Sequence, residues 1–310
     1  MYKVSVIIST YTILRDKYVL KCISSLINQT KKPDEIILVL DPNPDLIKHY
    51  ELIIPKETKI VISDGFSLSE ARNCGIKHSN GDILYFIDDD AFADKNCIKK
   101  MLKNYSNSKV VCVGGHIEPL WENKRPCWLP EELFWIINCS YKGLPQNRSV
   151  IRNPLGANMS FRKSVFKKVG YFNTSYGRIG KKLLGNEETE LSLRIINELK
   201  SSKIIYEPCA IVFHRVPKER LNIKYLIKRS YYEGFVKSFL IKKNLSITQS
   251  FEHKYLKDLL TVVIPSKISN LINFNNFIQI IIIFLIIFFT GIGYLSGILK
   301  VYAARVNIRY

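Results

Sequence analysis

From Phe277 to Leu299 the chain reads FIQIIIIFLIIFFTGIGYLSGIL, 23 residues without a charge. As one helix, at ~1.5 Å per residue, they reach about 34 Å, enough to cross a hydrocarbon core about 30 Å thick. A soluble helix of this composition would need apolar cover on every side. The run therefore predicts a hydrophobic membrane segment over 272–299, followed by a tail at 300–310. Two topologies stay open: a single span, or a re-entrant hairpin broken at Gly291, Gly293 or Gly297. Basic residues flank both ends, with Lys254, Lys257 and Lys267 before the run and Lys300, Arg305 and Arg309 after it, so charge bias does not choose an orientation.

Charge gathers just ahead of this segment. The chain carries 46 Lys+Arg against 27 Asp+Glu, a net charge of +19, and residues 201–310 hold 16 of the basic but 5 of the acidic side chains. The densest part is 214–243. Such a stretch suits nucleic acid or an anionic membrane. The apolar run that follows favours the membrane, so 216–271 is expected to form basic, amphipathic helices on the headgroups, with no nucleic-acid partner. A hydrophobic share of 47% excludes a disordered chain. Seven scattered cysteines without C-x-x-C spacing indicate neither a zinc site nor a redox dithiol. The β-branched start Val4–Ile8 is too short for the core of a signal peptide, so the catalytic region is expected on the cytoplasmic face of the cell membrane.

Upstream, strand and helix patterns alternate. Val4–Ser9, Glu35–Leu40, Lys59–Ile62 and Ile83–Ile87 are short apolar runs of strand length. Tyr18–Asn28, Ser69–Lys77 and Asn96–Tyr105 place apolar residues at helical spacing. That order implies an α/β fold whose mostly parallel sheet is flanked by helices. Ligands of such sheets gather beyond the carboxyl ends of the strands. Those ends carry Ser9-Thr10-Tyr11, Asp41 and Asp88-Asp89-Asp90. Three successive carboxylates repel one another unless a cation neutralises them, and hard oxygen donors suit Mg²⁺ or Mn²⁺. A solvated acidic turn is the plain alternative. Likewise Arg72 suits a diphosphate through its planar fork, yet is by itself an ordinary surface charge.

In series these residues resemble the nucleotide-binding half of family 2 glycosyltransferases with the Rossmann-like GT-A fold. The resemblance rests on Val4–Tyr11, Glu35–Asp41, Ser69-x-Ala71-Arg72-Asn73-x-Gly75 and Phe86-Ile87-Asp88-Asp89-Asp90, and extends over about the first 215 residues. It implies a GT-A catalytic domain at 1–215, with a nucleotide-binding half at 1–110 and an acceptor half at 111–215. It further implies that Thr10, Tyr11 and Asp41 hold the nucleoside, that Arg72 and Asp89 help hold the donor, and that Asp88 and Asp90 form the D-x-D pair. Asp90 would ligate the metal directly, Asp88 would lie nearer the ribose, and His214 would add a third ligand.

Asn153–Arg162 resembles the family segment under the donor sugar, which puts Gly156 and Asn158 in the substrate site. Gly185-Asn186-Glu187-Glu188 opens a helix. Asn186 as N-cap with acidic residues in the first turn is ordinary helix stabilisation. In the family, however, an acidic pair here, usually Glu-Asp, carries the catalytic base. Glu188 is one methylene longer than the usual Asp, which leaves Glu187 and Glu188 to be told apart; Glu188 is taken as the base and Glu187 as a positioning group. No separate nucleophile stands out, so one displacement with inversion is implied.

A narrower resemblance covers Val113–Pro119, Trp128–Trp135, Ile151–Asn153 and Gly185–Leu191, which look like the archaeal glucosyl-dolichyl phosphate glucuronosyltransferases. It implies transfer of glucuronic acid from UDP-glucuronate to a sugar on a dolichyl phosphate carrier in protein N-glycosylation, with His116, Trp121, Trp128 and Trp135 on the acceptor side. The Trp residues also fit as core or interface aromatics. Two rival readings remain. One is a membrane glycosyltransferase of cell-surface polysaccharide using another UDP- or dTDP-sugar. The other is a non-catalytic basic adaptor for a membrane or nucleic acid.

Overall fold

The computed structural model describes residues 2–179, 182–243 and 245–306. Arg309 lies outside them. The chain alternates β1 (Val4–Thr10), α1 (Asp16–Ile27), β2 (Glu35–Leu40), α2 (Pro44–Ile53), β3 (Thr58–Ile62), α3 (Leu68–His78), β4 (Ile83–Asp88), β5 (Ala91–Ala93) and α4 (Cys97–Lys103). Seven of these match the strand and helix patterns of the sequence to within a few residues; α2 and β5 had no counterpart there. The second part adds β6 (Val110–Trp121), β7 (Ser149–Val150), β8 (Asn158–Arg162), α5 (Lys163–Val169), β9 (Arg178–Ile179), β10 (Lys182–Leu183), α6 (Glu187–Glu198) and β11 (Lys203–Val216).

The main sheet runs β3-β2-β1-β4-β8-β6-β11-β5, with β7 paired to β11. β1 is parallel to β2 and β4, and β6 is parallel to β11, but β8 is antiparallel to both of its neighbours. The fold is α/β and GT-A-like, with a mixed sheet. Alternation along β1 divides the core: Val4, Val6 and Ile8 face α1, α2 and α4, whereas Ile7 faces α3, α5 and α6. Helix α3 lies so close to the sheet that a Cβ on Gly75 would come within 2.5 Å of the Ile7 side chain. Its start is fixed by a capping box, in which Ser67 Oγ accepts from Glu70 N–H and Glu70 accepts from Ser67 N–H.

Beyond β11 the chain is helical: α7 (Ile223–Lys243), α8 (Leu245–Asp258), a π-helical turn at Leu259–Val263, α9 (Ile264–Ile268) and α10 (Phe274–Val306). Helix α10 is continuous, so its glycines do not break it into a hairpin. They serve packing instead. A Cβ on Gly293 would meet the Tyr231 carbonyl at 2.0 Å, and one on Gly234 the Thr290 carbonyl at 1.9 Å, so α7 and α10 touch backbone to backbone.

Helix α7 packs between α10 and the region up to β11, with Arg229 and Lys237 in ion pairs, while Lys224 and Lys228 stay exposed. Ile282, Ile283 and Ile286 of α10 are buried with Ile117 and Val216 of the sheet and Leu133 of the segment between β6 and β7, because an Ile-rich face next to an apolar sheet end gains more by docking than by remaining apart. The opposite face is bare: Phe277, Ile281, Phe284, Phe288, Ile292, Leu295 and Leu299 form one exposed stripe at helical spacing. By length and composition this is the one described helix able to cross a membrane.

Candidate active site

The carboxyl ends of β1 and β4 open on a cleft of about 1750 Å³. Asp88 closes β4, and Asp89 and Asp90 form the turn into β5. Register then delivers the histidine: β5 is antiparallel to β11, with Ala91 opposite His214. His214 Nε2 lies 3.2 Å from Asp90 Oδ1 and 3.7 Å from Asp88 Oδ2, and ligand atoms of all three lie within 4.8 Å of one another. Asp90 Oδ2 and His214 Nε2 are buried without a hydrogen-bond partner. Two carboxylates and an imidazole with orphaned atoms fit a small divalent cation such as Mn²⁺ or Mg²⁺. Burial pushes the Asp90 carboxyl up, but His214, Arg15 and Arg220 outweigh it and hold Asp90 well below the usual carboxylate range.

Asp89 is used differently from the expectation of donor contact. It is buried, accepts from Thr10 Oγ1 at 2.7 Å and from Arg15 Nη1 at 2.8 Å, and so ties the turn to the end of β1. Its burial, with Asp90 alongside, pushes its carboxyl up despite Arg15. Thr10 thereby spends its hydroxyl on Asp89, while Tyr11 lies at the cleft wall with the Arg15 guanidinium 5.3 Å from its ring. Asp41 ends β2 next to Thr10, its N–H donating to the Thr10 carbonyl at 3.2 Å. Arg15 also reaches Asp90 Oδ2 at 3.2 Å. The sequence offered no signal for Arg15 beyond a cation in the loop after the first strand.

Across the cleft, Arg72 joins the two sets of acids. Its guanidinium is buried, 3.6 Å from Asp88 Oδ1, and donates to Glu187 Oε1 at 2.6 Å and to the Gly156 carbonyl at 3.1 Å. Glu187 is thus pinned. Glu188 is half-buried in the cleft wall, and its carboxylate accepts from Thr189 Oγ1 at 3.4 Å. Burial and then Glu187 push Glu188 up to about 8. Asn186 is not an ordinary N-cap. It sits at φ 65°, makes no capping bond, and donates its amide to Glu233 Oε2 at 3.1 Å on α7. A non-glycine residue held in the left-handed region marks a position fixed by its surroundings.

Three further candidates stand outside the cleft wall. Asn158 is fully buried, donates to the His116 and Ala210 carbonyls and accepts from Tyr85 Oη at 3.1 Å. Its amide is occupied by the main chain, and it does not line the cleft. His116 lies on β6 between Tyr206 Oη and Glu118, each at 3.0 Å. Trp128 packs with Trp121 against the apolar cluster that receives α10. Trp135 does line the cleft and donates from Nε1 to Tyr255 Oη at 2.9 Å.

Residues 5–170 match the model of glycosyl transferase family 2. The chain is 30% identical over 306 residues to a glucosyl-dolichyl phosphate glucuronosyltransferase of Haloferax volcanii, covering 96% of each chain. Its fold is similar to that of a mannosyltransferase from Pyrobaculum calidifontis solved with GDP-Man and Mn²⁺, with a TM-score of 0.61 at 16% identity, over 95% of this chain and 87% of the other. It is also similar to GalNAc-T7 solved with UDP, GalNAc and Mn²⁺, with a TM-score of 0.55 at 14% identity, over 85% and 57% of the two chains.

Proposed function

The chain belongs to glycosyl transferase family 2 and is a glycosyltransferase; from that premise we propose that it moves glucuronic acid from UDP-glucuronate to a sugar on a polyisoprenyl or dolichyl phosphate, with inversion, in protein N-glycosylation. The observation that carries the chemistry is the shared cleft: Asp88, Asp90, Arg72 and Glu188 all line it. The donor and acceptor classes rest on likeness to the Haloferax enzyme along nearly the whole chain.

Asp88, Asp90 and His214 would hold the divalent cation, which supplies positive charge to stabilise a departing nucleoside diphosphate. Arg72, beside Asp88, adds a fixed guanidinium on the same side. Glu187 holds that guanidinium in place. Tyr11 and Asp41 border the nucleoside at the ends of β1 and β2. Glu188 accepts the proton of the acceptor hydroxyl while that oxygen bonds to the anomeric carbon and the bond to diphosphate oxygen breaks. Glu188 is suited to this because no arginine or lysine pairs with it among the described residues, whereas Glu187 is held by Arg72. Its raised pKa makes it a stronger base than a free carboxylate once ionised. The exposed apolar stripe of α10 supports a cleft at a membrane surface, where a lipid carrier can present its sugar, and the reading takes that surface to be the cytoplasmic one, where nucleotide sugars are made.

A donor panel tests the reading: UDP-glucuronate, UDP-galacturonate, UDP-glucose and dTDP-glucose, each with Mn²⁺ or Mg²⁺ and a lipid-phosphate glucoside. Transfer from UDP-glucuronate above the neutral sugars is expected. Preference for a neutral or dTDP-sugar would instead favour the polysaccharide reading.

A further inference from the structure

The cleft extends past Glu188 into a region that the displacement itself does not use. Along the inner side of α7, Arg229, Glu233 and Lys237 follow at intervals of four residues and all line the cleft. Arg229 Nη1 lies 2.8 Å from Glu233 Oε2, and Lys237 Nζ 3.2 Å from Glu233 Oε1. Lys237 also reaches Glu252 Oε2 on α8 at 2.8 Å, and Arg152 Nη1 reaches Glu252 Oε1 at 2.7 Å. Three cations thus share two carboxylates. Both acids stay ionised: burial pushes Glu233 up, yet Lys237 and Arg229 hold it at about 2, and Lys237 and Arg152 hold Glu252 low against the same effect.

The cluster therefore keeps one positive charge in excess, largely out of water. Such a charge is costly unless an anion joins it. Glu188 does not supply one in the resting enzyme at neutral pH, since its carboxyl holds its proton to about 8. Glu132, at the same wall, is matched by Lys142 at 3.6 Å and Lys267 at 3.9 Å. Past the cluster the lining turns apolar, with Leu259, Val263 and, from α10, Ile286 and Ile287, which pack together in one apolar cluster. A cationic seat leading into an apolar trough matches an anionic amphiphile, and the trough lies along the helix whose far face carries the exposed stripe.

We propose that Arg152, Arg229 and Lys237 seat the phosphate of the acceptor lipid, that its polyisoprenyl chain runs along the cleft lining formed by Leu259, Val263, Ile286 and Ile287, and that its sugar reaches back to Glu188. This rests on the lipid-linked acceptor of the preceding section and assigns the residues that would recognise it.

The test uses full-length enzyme in detergent micelles and two acceptors with the same sugar, farnesyl-phosphate glucose and octyl glucoside, with farnesyl phosphate and inorganic phosphate as binding probes followed by tryptophan fluorescence. Arg229→Met is expected to raise KM at least about tenfold for the phosphate acceptor while leaving KM for octyl glucoside and affinity for UDP unchanged. Arg229→Lys should recover most of the loss. The double variant Arg229→Met/Glu233→Gln removes both partners of one pair and should behave like Arg229→Met if the folded protein keeps its melting temperature. Farnesyl phosphate should bind wild type and not Arg229→Met, and inorganic phosphate should bind both weakly. An equal KM rise for both acceptors, or farnesyl phosphate binding untouched by Arg229→Met, would overturn the seat. Specific farnesyl phosphate binding with transfer to neither acceptor would keep the seat and sink the acceptor sugar.

Discussion

At the donor end of the cleft the reacting groups hang from strand ends, and main-chain pairing sets their spacing. Asp88 is placed by β4, and His214 by the pairing of Ala91 with β11. At the proposed acceptor end the charged groups sit on α7, α8 and the loop after β7 and meet through side chains: Arg152 to Glu252, Glu252 to Lys237, Lys237 and Arg229 to Glu233. Strand register cannot shift by a fraction of a residue, so the donor site is rigid by construction. Helices joined by ion pairs and glycine contacts have no such index, and their geometry follows the packing. The difference teaches where each substitution should be felt.

The largest effect is expected at the donor end. Asp90→Ala should lose UDP-sugar binding and transfer together, by at least about 10³-fold, in titration calorimetry with Mn²⁺ and in a transfer assay. Retained cation-dependent UDP binding would dissolve the contrast between the two ends. Glu188→Gln should lower kcat by about 10²- to 10³-fold and leave UDP affinity intact, since it removes a proton acceptor and no donor contact. Loss of UDP affinity in this variant would move Glu188 to the donor side.

The pH dependence follows from the same carboxyl. In the proposed reaction Glu188 works ionised, and its resting pKa is about 8, so transfer should rise as pH increases toward 8, with bound cation and Arg72 drawing the limb downward. The stability sign is opposite. A carboxyl whose folded pKa exceeds its unfolded value favours folding at low pH and loses that contribution as pH climbs through the folded pKa. Wild type should therefore lose melting temperature relative to Glu188→Gln between about pH 5 and pH 8. A parallel pair of curves would deny the buried, protonated state.

Ile283→Ala sharpens the comparison from the helical side. It should cost about 2–5 kcal/mol in unfolding free energy, as a core truncation does, because Ile283 is fully buried against the catalytic domain. Release of α10 with the remaining fold unchanged would show it to be a tether after all. The smallest effect is expected for Phe284→Ser on the exposed stripe: several-fold weaker binding to liposomes containing anionic phospholipid, with transfer to octyl glucoside unchanged.

Legibility in the sequence divided along the same line. Strand runs, the D-x-D turn, Arg72 and the acidic pair were readable because each is a local pattern tied to one element. Where a local pattern had two uses, tertiary contacts decide which partners it meets in the structure. Asn186 has the composition of a cap and instead reaches α7; Asn158 sits in a family segment and instead satisfies main chain; Thr10 and Asp89 spend their polar atoms on each other. Arg15 left no trace, since nothing near it in sequence shows that a turn 74 residues later will come to rest beside it.

The sequence by itself determined the α/β order, the donor-side acids and the presence of a long apolar helix, because strand alternation, helical spacing and uninterrupted hydrophobicity are properties of neighbours along the chain. The tertiary structure supplied the geometry by which His214, implied as a ligand by the resemblance, meets Asp88 and Asp90, and it alone decided that Glu187 is pinned while Glu188 is not, and that α10 is core on one face and bare on the other. Those outcomes depend on register between distant strands, on which charge reaches Arg72 first, and on backbone contact at Gly234 and Gly293, and none of these is a property of residues adjacent in sequence.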